Sequence, residues 1–269
     1  MTRKATTLLS AALVLAASVA GFATRVADRP VSAPAEDDVT VVAEAILAPT
    51  GFEQAAARGQ AATAAAAAAT APGCRDAAYA LAAWRLPAKF SWYYNGAAAP
   101  ASVRSTALTA LRGGTSTLFK AGYRCGGTTT LRTTEVYAGS STRTAQVNAK
   151  GVCTGNDGVS VTSWGSLPAT TLAYTCVYYR TSSKTVIASD MLIDNKLHSW
   201  FTKLPAGCSN KFDLQAVAVH ERGHTAGLGH VDQRTHSSQA MAPKMPPCST
   251  VHRTLGAGDV RGLKAMYGA

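Results

Sequence analysis

The sequence predicts an α+β domain. Three observations carry that expectation: strand-patterned runs lie between Lys89 and Ile193, helical periodicity returns over Asp213 to Thr225 and Asp259 to Tyr267, and the texture of the chain changes at Cys74. A chain of 269 residues is long enough to bury a core in one large domain or two small ones.

Taken in order, residues 1–23 read as a signal peptide. Arg3 and Lys4 precede an uncharged stretch from Ala5 to Ala23, and the small residues of Ser18-Val19-Ala20 and Gly21-Phe22-Ala23 offer cleavage sites. A membrane span needs about 20 predominantly apolar residues. This run is short and rich in Ala, Ser and Thr, so export without stable membrane insertion is expected, and the protein is placed outside the cell. Residues 24–73 read as a pro-segment or linker. They hold few aromatics and end in an alanine-rich tract, Gln54 to Ala71, closed by Pro72-Gly73. Alanine favours helix, but a methyl group is too small to build a core.

Residues 74–269 have the texture of a folded domain. Lys89 to Asn95 is an aromatic-rich strand, and a helix is expected from about Ala101 to Ala121, weakened at Gly113-Gly114. Thr128 to Gly139, Gly158 to Trp164, Thr170 to Tyr179 and Thr185 to Ile193 follow as strands, with Gly, Asn, Asp and Ser between them. The helix over Asp213 to Thr225 carries Leu214, Val217 and Ala218 at helical spacing, with Asp213 or Asn210 as its cap.

Six cysteines remain after the first segment: Cys74, Cys125, Cys153, Cys176, Cys208 and Cys248. An even number in an exported chain suggests three disulfides, and pairing neighbours in order is the simplest of about 15 arrangements. Cysteine-held zinc would want a Cys-x-x-Cys spacing, which the chain lacks. The formal charge is +11, unevenly spread. Five Lys/Arg stand against six Asp/Glu before Cys74, and 21 against nine from Cys74 onward, so the folded region carries +12. Such a domain suits anionic cell-surface polymers as partners. Most of this charge is read as a solvated face, and no nucleic-acid fold signature accompanies it.

The chemistry concentrates in His220-Glu-Arg-Gly-His224-Thr-Ala-Gly227-Leu-Gly-His230. On a helix, His220 and His224 at i and i+4 share one face, where two imidazoles can grip one ion at about 2.0 to 2.1 Å. Glu221 is rotated about 100° from His220, displaced from the ligand direction yet within reach of a water on the metal. It is therefore a candidate base rather than a ligand. Gly227 can take the positive φ that ends a helix and turns the chain, bringing His230 in as third ligand. Three protein ligands leave a coordination position open, as in catalytic rather than structural zinc sites. His198, His236 and His252 lie outside the pattern and read as structural.

These residues resemble the zinc-binding consensus of the metzincin clan, and their neighbours narrow the likeness to the matrixins, in particular small secreted bacterial matrixin-like proteins. Gln239-Ala-Met241-Ala-Pro243 is similar to the clan's Met-turn, with Met241 preferred over Met245 because Pro243 follows it at the family's spacing. Leu255 to Gly268 resembles the closing helix, and Ile187 to Asp194 the strand before the active-site helix. The resemblance implies a twisted mixed five-stranded sheet with an active-site helix and a C-terminal helix, and one catalytic zinc beneath the sheet's edge strand. That edge would be Thr170 to Tyr179, open to an extended substrate by strand addition. Met241 to Pro247 would wall the pocket for the side chain after the scissile bond. Calcium and a second zinc are frequent in the family, but Asn156-Asp157-Gly158, Asp190 and Asp194 are too sparse to assign such sites. Pro72-Gly-Cys74-Arg-Asp76 is a loose echo of the cysteine switch of animal matrixins, while Cys74 completes the even cysteine count.

The expected function is a secreted, monomeric zinc endopeptidase that hydrolyses peptide bonds with Glu221 as base. The substrate-binding residues beyond the pocket wall stay unassigned. A non-catalytic surface-binding protein on the same fold is the alternative, set against by the intact base and ligand set.

Overall fold

The computed structural model describes residues 38–50, 72–126 and 130–268. The expected signal peptide and the alanine-rich tract lie outside these residues. Among the described residues, no helix is long and apolar enough to cross a membrane.

The strands are β1 (Val39–Leu47), β2 (Ala80–Leu81), β3 (Lys89–Tyr94), β4 (Thr134–Ser140), β5 (Val161–Gly165), β6 (Thr171–Arg180), β7 (Val186–Asp194), β8 (Ser199–Phe201), β9 (Lys211–Asp213) and β10 (Leu228–Gly229). The helices are α1 (Pro72–Arg75), α2 (Ala107–Phe119), α3 (Leu214–Thr225), α4 (Gln233–His236) and α5 (Ala257–Tyr267). This is the expected α+β arrangement. The main sheet runs β1-β6-β7-β5-β3-β4 and has six strands rather than five. β4, β3, β5 and β7 run parallel to one another, β6 is antiparallel to β7, and β1 is antiparallel to β6.

β6 and β7 are buried on both faces, and their side chains divide by the two-residue period of a strand. Ala173, Val177, Met191 and Ile193 enter the main core, whereas Cys176, Tyr178, Ala188 and Leu192 join a smaller cluster with Ala145, Val147 and Leu167. Helix α3 lies against β6, β7 and β1, and packs against α2. Gly114 permits that helix pair to close: a Cβ there would fall 2.6 Å from Gln215 O and 2.7 Å from Ala218 Cβ. The glycine that weakens α2 as an isolated helix is thus the point of closest approach to α3. Arg222, itself buried, ties α3 to the sheet by donating to Thr162 Oγ1 at 2.7 Å while its guanidinium lies over the Trp92 ring at 4.7 Å.

Two further expectations need correction. The helix expected from Ala101 begins at Ala107, because hydrogen-bonded turns anchored on the Pro100 carbonyl occupy residues 101–106. The strand Thr170 to Tyr179 forms, but it is not the sheet's edge. β1 pairs along its whole length, from Val39 opposite Arg180 to Leu47 opposite Thr171. The disulfides are Cys74–Cys125, Cys153–Cys176 and Cys208–Cys248, neighbours in order.

Candidate metal centre

Asp213 caps α3 by accepting from the N–H groups of Gln215 and Ala216, so the helix starts in register with the face of His220 and His224 turned inward. His220 and His224 are both fully buried on that face, their Nε2 atoms 2.9 Å apart. The helix stops where expected. Gly227 has φ +88°, and a Cβ there would collide with Trp84 O, so only glycine fits the turn. The chain then passes through β10 and brings His230 Nε2 to 3.1 Å from that of His220 and 3.0 Å from that of His224.

The imidazoles are oriented by what their other nitrogens do. His220 Nδ1 lies 2.7 Å from Ala240 O, and His224 Nδ1 lies 3.0 Å from Leu228 O. A carbonyl can only accept, so each Nδ1 carries the proton and each Nε2 presents a lone pair. His230 Nδ1 faces the Glu44 carboxylate at 3.7 Å. Burial, with mutual repulsion of the rings, pushes His220 well below its usual range and His224 down to about 3, and burial takes His230 to about 4. Three lone pairs converging within about 3 Å repel one another unless a cation sits between them. Their spacing and chemistry fit one metal ion held by nitrogen ligands.

Glu221 is also fully buried and points elsewhere. Its Oε1 accepts the Ile46 N–H at 3.2 Å, and its Oε2 accepts the Thr175 hydroxyl in a short hydrogen bond. Burial pushes its carboxyl up to about 8, opposed by those two hydrogen bonds. Thr175 and Ile46 were not legible as site residues, since each reaches Glu221 only through sheet pairing.

Met241 is buried against α3: a Cβ at Gly223 would collide with its Sδ and lie 3.0 Å from its Cε. Met245 is equally buried, but its N–H pairs with Leu47 O at 3.0 Å. The Met241 turn is clamped by a residue that sequence reasoning passed over. Asp259, in the first turn of α5, accepts from Ala240 N at 2.7 Å, Met241 N at 3.2 Å and Gly256 N at 2.8 Å. The same turn holds Ala240 O against His220, so α5 orients a triad histidine through two intervening contacts.

The remaining candidates lie apart from the triad. His198 pairs with Asp194, His236 with Asp76, and His252 Nε2 donates to Ser237 O at 3.1 Å, which fixes Nε2 as the protonated nitrogen. Asp190 accepts from Gln146 and Val161, Asn156 accepts from Gly158 in its own turn, and Asp157 pairs with Arg143 at 2.5 Å. Cys74 is in a disulfide rather than poised as a switch thiol.

Comparison with known proteins agrees with this geometry. The family model described as matrixin matches residues 113–268, from within α2 to the end of α5. Metalloendoproteinase 1 of Glycine max is 40% identical over 67 residues, which is 25% of this chain and 20% of that protein. The chain therefore spans only about a fifth of that relative's length. The match covers more than half of the present chain, including all of the histidine triad, and the protein belongs to the matrixin family.

Proposed function

We propose that the protein is a secreted zinc endopeptidase in which His220, His224 and His230 hold the metal and Glu221 is the catalytic base. The observation that carries this reading is the pairing of three converging Nε2 lone pairs with a buried carboxylate one residue along the same helix. Zinc bound there would supply a Lewis acid that polarises the scissile carbonyl and lowers the pKa of water. Glu221 takes a proton from the attacking water and passes it to the leaving amine. Thr175 holds the carboxylate in place by donating to Oε2, and the Ile46 N–H donates to Oε1. Met241 supports the triad from beneath α3, and Gly227 supplies the turn that brings in His230.

Substrates are proteins or peptides bound in extended form. Three disulfides suit an oxidising, extracellular setting, and residues 1–23 act as the export signal. Residues 74–269 form the catalytic part, working as a monomer, with its basic surface available to anionic cell-surface polymers. The test is reversible inactivation. Chelation should abolish cleavage of denatured casein, and one equivalent of zinc per chain should restore it. Cleavage that persists in chelator would refute the metal's role. A surface-binding protein on this fold would take up zinc and cut nothing.

A further inference from the structure

We propose that the bond between Ala45 and Ile46 is this chain's own first substrate, seated in the cleft by β1 and hydrolysed with Glu221 of the same molecule. The proposal rests on the zinc peptidase reading and extends it to how the cleft is opened.

The seat is built on both sides of β1. Along one side β1 pairs antiparallel with β6, placing Ala45 opposite Tyr174 and Ile46 opposite Ala173. On the other side it runs parallel to the segment after Met241: Leu47 N–H donates to Pro243 O at 2.9 Å, and Leu47 O accepts the Met245 N–H at 3.0 Å. Ala48 N–H then donates to Thr170 O at 2.8 Å. Ile46 is the one buried residue of β1, enclosed in the core cluster that includes Met241 and Met245. An extended segment gripped through its backbone, with one side chain buried, is the way a strand-adding peptide ligand binds.

The register selects the bond. The Glu44 carboxylate faces His230 Nδ1, and the Ile46 N–H donates to Glu221 Oε1 at 3.2 Å. Ala45 is therefore flanked in the chain by a contact to a triad histidine and a contact to the base. Glu221 must hand a proton to the leaving nitrogen, and the amide nitrogen within hydrogen-bond reach of it is that of Ile46. In the reaction the water oxygen joins the Ala45 carbonyl carbon, and the C–N bond breaks with its electron pair kept by the Ile46 nitrogen. Both water protons end on that nitrogen, one by way of Glu221, leaving an Ala45 carboxylate and an Ile46 ammonium. Until that cut, β1 covers the edge of β6 along its whole length, so other extended peptides are shut out.

The test uses the full chain. Zinc-free Glu221→Gln protein is examined by hydrogen exchange, where the Leu47 and Ala48 amides should exchange at least about tenfold more slowly than in an unfolded chain. Unprotected amides would overturn the seat without touching the peptidase reading. Wild-type chain is then incubated with zinc over a hundredfold range of dilution and followed by intact mass and amino-terminal sequencing. The expected product begins at Ile46, forms at a rate independent of concentration, and is slowed about 100-fold or more in Glu221→Gln. Cleavage of added casein while Ala45–Ile46 stays intact, or a new terminus elsewhere, would overturn the proposal and leave the peptidase reading standing. A zinc-loaded chain that cuts neither casein nor itself would refute the peptidase reading and the hydrolysis together, with the seat still judged by exchange.

Discussion

Gly223 sits between the two helical histidines, and replacing it with alanine sets two effects of opposite sign against each other. In an open helix, Gly→Ala gains about 1 kcal/mol by propensity. Here the new Cβ would collide with Met241 Sδ and lie 3.0 Å from its Cε. Met241 cannot retreat easily: its side chain is buried, and its backbone N–H is held by Asp259. Forcing a methyl into such a core costs about 1 to 3 kcal/mol. The clash wins by about 1 kcal/mol at the middle of that range, which lowers Tm by about 2 to 4 °C for a domain of this size. The assay is thermal unfolding in chelator, so that metal binding does not add to stability. Met241→Ala in the same background completes a double-mutant cycle, in which the pair should be less destabilised than the sum of the singles by about 1 kcal/mol or more. A Gly223→Ala protein that melts about 2 to 4 °C higher than wild type, with additive behaviour in the cycle, would show that Met241 does not pack beneath α3 as described.

Further outcomes follow from other parts of the fold. Cys74→Ser with Cys125→Ser opens a loop of sequence separation 51, worth about 4 kcal/mol in chain entropy, and denaturant unfolding should show a loss of that order; a loss under about 1 kcal/mol would contradict it. His252 is buried, and desolvation together with the nearby Arg124 charge lowers it to about 4. The fold accepts its neutral form, so its contribution is complete above the unfolded value of about 6.5 and is lost as pH falls toward 4. At pH 5 that loss is about 2 kcal/mol, and His252→Gln should lose correspondingly less between pH 7 and pH 5 in urea titrations; equal losses would refute the assignment.

The parts of the site that were legible are those joined by short stretches of chain. His220, His224, Gly227 and His230 fall within eleven residues, and helix periodicity plus one glycine turn suffices to converge them. Asp213 as a cap follows from the same local logic. Contacts made across the fold left no local signal. Thr175 reads as one more β-branched residue in a strand, and Asp259 as an ordinary helix-start acid, yet one holds Glu221 and the other clamps the Met241 turn. β1 shows why composition misleads. Val39 to Leu47 carries strand-favouring residues, but it lies in a stretch poor in aromatics, and its partner strand is more than 120 residues away in sequence. A strand is stabilised by its neighbour, so the segment acquires structure only once β6 is in place. The edge reading of β6 failed for the same reason.

The central claim is that metal binding and proton transfer are separate tasks on one helix. The most direct measurement is zinc content beside turnover of a denatured protein substrate for wild type and Glu221→Gln, each at equal folded concentration. The account predicts one zinc per chain in both, with turnover lower in Glu221→Gln by about 100-fold to 10,000-fold. Zinc lost along with activity in Glu221→Gln, or zinc and activity both retained, would contradict it.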